Sequence, residues 1–162
     1  MSAENQYRIP KQRIPVTISF DGAPPASLSL YLSERIATHA GYERPSDLLN
    51  GPMMYLPATG PDGSVLILNR RAIRWVQVES VHEFDESIEG IDVIRHPDTT
   101  DANIEIALSD RSTLRGTISF CLPGSHRRVQ DFLNLDEHFI TLRQENVAVL
   151  VNKDQIVHVS II

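Results

Sequence analysis

The sequence predicts an all-β protein made of two tandem five-stranded small barrels that arose by internal duplication, each with one short helical turn. Three observations predict it: short stretches alternate polar and apolar at period two, tight turn signals separate them, and the second half repeats the first. Arg44-x-x-Asp47-Leu48-Leu49-Asn50 returns as Arg128-x-x-Asp131-Phe132-Leu133-Asn134, and Tyr55 returns as Phe139, at a separation of 84 residues (128 − 44; 139 − 55). Asn69, Ile73 and Val76 return as Asn152, Ile156 and Val159 at a separation of 83 (152 − 69; 156 − 73). One residue is therefore missing from the second copy after its aromatic.

Taken in order, residues 1–14 are polar, carry Pro10 and read as a flexible arm or an added edge strand. The first barrel is expected over 15–80. Val16–Phe20 alternates and runs into the turn Asp21-Gly22, and Ser27–Leu32 alternates again. Ser33 to Gly51 holds Gly41 and Pro45 and predicts a loop with a helical turn around Asp47–Asn50. Met53–Leu56 and Ser64–Leu68 read as strands around the turn Thr59–Gly63, and Ala72–Val78 closes the half. Residues 81–102 are acidic and read as a linker, with a short strand expected at Ile91–Ile94. The second barrel is expected over 103–162, from strands Asn103–Leu108 and Leu114–Phe120, then His138–Leu142, Val147–Val151 and Gln155–Ile161. Strand units of about 60 residues are marginal alone, so the halves are expected to pack together or share an edge.

A chain of 162 residues with 41% apolar content has enough material for a core, and no apolar run approaches a membrane span of about 20 residues. The start, Met1 to Gln6, lacks a signal-peptide core, so the cytoplasm is the expected compartment. The formal charge of −6 argues against broad nucleic-acid binding, and no DNA or membrane partner is expected. Lys11 and Lys153 are the only lysines, so most positive charge sits on arginine forks. The lone Cys121 excludes an intrachain disulfide and reads as a packed small hydrophobe.

The second half resembles the Sm-like small β-barrels. The residues that carry the resemblance are Ile104–Asp110, Leu114-Arg115-Gly116 and Asp131-Phe132-Leu133-Asn134 for the first family motif. Val151-Asn152-Lys153 with Ile156 and Val159 follows the second motif in outline. The resemblance implies that Gly116 lets a strand bend enough to close a small barrel. Members of that family that hold RNA grip a base with an Asn and an Arg. Asn134 matches the first, whereas Asn152 and Asn69 stand where the arginine would be, and Lys153 and Arg70 where a glycine would be. The resemblance covers most of 103–162 and, through the repeat, extends to 15–78.

The repeated Arg44/Asp47/Asn50 and Arg128/Asp131/Asn134 are spaced to pair across a helical turn and to satisfy backbone groups at its end. A ligand or partner contact at these residues is the alternative. Asn69 and Asn152 precede the last strand of each half, where asparagine's tolerance of positive φ predicts a tight hairpin; readout of a base or peptide is the alternative. Arg127 and Arg128, with His126 beside them and Arg115 and Arg143 expected nearby, form the densest positive point. The six histidines show no metal-ligand spacing, and no nucleophile elbow, P-loop or dinucleotide fingerprint occurs. No cofactor and no enzymatic activity are expected. The expected function is a binding or adaptor module acting on a protein partner or by self-association, with RNA binding through the arginine patch as the alternative.

Overall fold

The computed structural model describes residues 11–34, 42–84, 98–123 and 128–162. Alternation of buried Ile14, Val16 and Ile18 builds β1 (Lys11–Phe20), and that of Leu28, Leu30 and Leu32 builds β2 (Ala26–Ser33). Gly22, at φ +76°, turns the chain between them. Helix α1 (Pro45–Leu49) follows, then β3 (Tyr55–Thr59), β4 (Val65–Asn69), a 3-10 turn (Arg70–Ala72), β5 (Ile73–Glu79) and α2 (Ser80–Glu83). The second half lays down β6 (Thr100–Leu108), β7 (Thr113–Phe120), α3 (Val129–Leu133), β8 (Phe139–Arg143), β9 (Val147–Asn152), a 3-10 turn (Lys153–Gln155) and β10 (Ile156–Ile161). Among the described residues no helix is long and apolar enough to cross a membrane.

The protein is all-β: the described residues form ten strands in one antiparallel sheet ordered β10-β6-β7-β8-β9-β5-β1-β2-β3-β4. Each half keeps its strands in the same neighbour order. Tyr55 stands opposite Asn69 as Phe139 stands opposite Asn152. The last strand of each half slips register at the same place, between Ile73 and Trp75 and between Ile156 and His158.

The expectation that each half closes on itself is corrected by this topology, because the sheet is open at β4 and β10. A five-stranded half leaves an unpaired row of N–H and C=O groups at each edge. Pairing β5 with β9 satisfies two of those rows and merges the halves. Strand boundaries also differ from expectation: β1 already begins at Lys11, α2 takes up Ser80–Glu83, and β6 begins at Thr100. The strand expected at Ile91–Ile94 lies outside the described residues. Cys121 is exposed just past the end of β7 rather than packed, because the core-facing alternation ends at Phe120.

Two apolar clusters fill the molecule, and the chain's halves interpenetrate in both. The first-half cluster includes Phe139, Ala148 and Leu150 from the second half. The second-half cluster receives Trp75 from β5.

Gly116 is required by space. A Cβ there would lie 2.6 Å from the Arg143 carbonyl oxygen and 2.7 Å from Leu142 Cγ, because β8 passes close over β7. Gly116→Val is therefore expected to lower the melting temperature by about 5 °C or more, as an overpacked backbone approach does. Thermal unfolding checks this; an unchanged midpoint contradicts it.

Candidate functional site

The repeated helical turns are built as matched pairs. The Asp47 carboxylate accepts the Arg44 backbone N–H at 2.8 Å, and Asp131 accepts that of Arg128 at 3.3 Å, each closing the first turn of its helix. The Arg128 guanidinium also donates to Asp131 at 3.1 and 3.2 Å. At the far ends, Arg70 Nη1 donates to the carbonyls of Leu49 and Gly51, and Lys153 Nζ donates to those of Leu133 and Leu135. A cation thus covers the free carbonyls at each helix C-terminus. Partial burial holds the Lys153 ammonium below its ordinary pKa. Its position immediately past β9's end and its repeat partner Arg70 were the sequence signals for this role.

Asn69 and Asn152 each cap a 3-10 turn with a side-chain oxygen, accepting the N–H of Arg71 and of Asp154, both at 3.0 Å. The expectation of positive φ is corrected: the values are −80° and −67°, since the side chain, not a left-handed backbone, makes the turn.

Beyond these local roles the two copies diverge. Asn152 is buried and donates Nδ2 to the Ile73 carbonyl at 2.9 Å across the seam between halves, whereas Asn69 is exposed at the sheet edge. Asn50 reaches across the seam too, accepting the Phe139 N–H at 2.8 Å and donating to its carbonyl at 3.2 Å. Asn134 is exposed and turns back to its own helix, donating to the Gln130 carbonyl at 2.9 Å.

The seam itself pairs Trp75 with Val151, Val76 with Leu150, Gln77 with Val149, Val78 with Ala148 and Glu79 with Val147. Arg74, nearly buried, bridges Asp21 of the first half at 3.1 Å and Asp110 of the second at 3.0 Å. The Arg143 guanidinium sits 4.1 Å above the Phe84 ring. Sequence reasoning missed Trp75, Arg74 and Phe84, because nothing local marks a residue as facing another half.

Two described arginines of the expected patch have carboxylates beside them. Arg115 pairs with Glu105 on the neighbouring strand, and Arg128 with Asp131. Arg127 and His126 lie outside the described residues. A shallow cleft lined by Glu43, Asp47, Asn50 and Glu137 is acidic. Among the described residues no group of three His, Cys, Asp or Glu side chains converges where it could hold a metal ion.

Two edges remain. On β4, Val65, Leu66 and Ile67 are exposed; on and beyond β10, Val157, Ile161 and Ile162 are exposed. Exposed apolar residues on a strand paired on one side only form a template for strand addition. In comparison with known proteins, no family model, no curated protein and no solved structure matches this chain.

One prediction comes from the seam and one from a buried carboxyl on α2. Asn152→Ala is expected to destabilise by about 1–3 kcal/mol, because the Ile73 carbonyl stays buried without its donor. Asn69→Ala, which in a dilute single chain loses only the turn cap, is expected to cost about 1 kcal/mol or less. Chemical denaturation of both variants measures the contrast.

The second concerns Glu83, buried on α2 with its carboxylate accepting the Ser46 N–H at 3.1 Å. Burial pushes its pKa from 4.5 up to about 7. The folded state then holds the proton more tightly than the unfolded chain, so this group's contribution is full below pH 4.5 and is lost as pH rises to about 7. Glu83→Gln is expected to remove that decline and to melt higher than the native protein above neutrality. Melting temperatures across this window decide it; parallel curves for both proteins would contradict the assignment.

Proposed function

We propose that this chain is a non-enzymatic binding or adaptor protein built from duplicated Sm-like small barrels, which engages a protein partner or its own copies by adding strands at its open edges. The observation that carries the reading is β4, where Val65, Leu66 and Ile67 lie exposed on a strand that has, among the described residues, no neighbouring strand on one side. An extended segment placed there gains main-chain hydrogen bonds along the strand and apolar contacts at alternate residues. The shared strand order, the shared register slip and the paired helix caps support a common origin of the two halves. The formal charge of −6 and the carboxylate partners of Arg115 and Arg128 favour polypeptide over RNA.

The test is affinity capture with the native chain beside a double variant, Ile67→Lys with Ile161→Lys, run together with a gel shift against mixed RNA. Proteins held by the native chain and released by the double variant are the expected result. Partners indifferent to both edges, or RNA binding that weakens steeply with salt, would overturn the strand-edge reading in favour of the arginine-rich surface.

A further inference from the structure

The seam inside the chain is a heterologous joint, and the molecule carries a second, unused set of the same parts. β5 and β9 have β10 and β4 as their counterparts in the other half. The residues that β8 and β9 bury in the first half's core are Phe139 (1% exposed), Ala148 (0%) and Leu150 (0%). At the repeat separations of 84 and 83, their counterparts are Tyr55 (59%), Val65 (74%) and Ile67 (65%). On the opposite edge, buried Val78 corresponds to Ile161, which is 70% exposed. The polar groups follow the same division. Asn152 and Asn50 are committed across the internal seam, while Asn69 and Asn134 occupy the matching places and reach no other half.

We propose that β10 of one copy pairs with β4 of a second copy, head to tail, in the register of the internal seam. Transferring the observed pairs sets His158 opposite Leu68, Val159 opposite Ile67, Ser160 opposite Leu66 and Ile161 opposite Val65. The Asn69 amide then donates to the Ile156 carbonyl of the neighbour, as Asn152 does to Ile73. Asn134 turns from its own helix to hold the N–H and C=O of the neighbour's Tyr55, as Asn50 holds Phe139. The exposed apolar residues of the two edges are covered against each other. One feature has no counterpart: Val157 stands where Arg74 forms its two ion pairs. The joint between copies therefore lacks the ionic clamp of the internal seam and is the weaker, reversible one. Each copy carries one edge of each kind, so the joint can propagate.

This inference rests on the strand-edge reading and names its occupant. The experiment is sedimentation velocity of the purified full chain over a concentration series, with Ile67→Lys and Ile161→Lys as separate variants. Both positions are exposed, so each variant is expected to melt as the dilute native chain does. The native chain is expected to gain mass with concentration, each variant alone to stay monomeric, and an equimolar mixture to stop at a dimer, since one sound β10 and one sound β4 remain. Asn69→Ala or Asn134→Ala is expected to weaken native assembly about tenfold. A variant that still self-associates, a mixture that does not pair, or a native chain that is monomeric throughout overturns the head-to-tail joint. A monomeric chain whose edges nonetheless capture a different protein leaves the strand-edge reading standing and removes only the second copy as occupant.

Discussion

The antiparallel pairing of β5 with β9 is the constraint on which the rest of the molecule depends. It turns two short sheets into one of ten strands and places Phe139, Ala148 and Leu150 in the first half's core. It also gives Asn152 its buried carbonyl partner and Arg74 its second carboxylate. Without it, each half would present an apolar strand edge to solvent and an incompletely filled cluster. A unit of about 60 residues buries too small a share of its surface to tolerate that loss. The seam therefore acts in stability and topology at once: it completes both cores, and by using one edge from each half it leaves the other two open.

Much of the fold was legible in the residues. Alternation marked β1, β2 and the strands of the second half, because one face of each is packed and the other is wet. The repeated Arg-x-x-Asp-x-Leu-Asn marked α1 and α3, because the Asp must reach back to the first turn. Gly116 was visible as a position with a backbone reason, although the reason is the nearness of Leu142 and Arg143. What alternation cannot show is which edge pairs with which, since the period fixes the buried face and not the neighbour. For that reason a shared edge was expected in kind, while the pairing of β5 with β9 was not specified.

The candidate site was legible in part for the same cause. Asn69 and Asn152 have like local sequences and identical turn caps, and yet one is exposed and the other buried. Only the three-dimensional position of a second half distinguishes them. Ile67 and Leu150 are a similar pair: each reads as an ordinary strand residue, and the difference appears when one faces a packed core and the other faces water. Two of the arginines grouped in that patch have carboxylate partners near in sequence or on the next strand, Asp131 for Arg128 and Glu105 for Arg115. Local charge density reports composition, while the field at a surface depends on which partners the fold brings alongside.

With one seam in use and one proposed to be in reserve, residue-resolved amide hydrogen exchange over a range of protein concentrations is the most direct test. Amides of β5 and β9 are predicted to be among the most protected at every concentration, while those of β4 and β10 exchange rapidly when dilute and slow together as the chain is concentrated. Rapid exchange along β5 and β9 in the dilute protein, or free edges whose exchange ignores concentration, would contradict it.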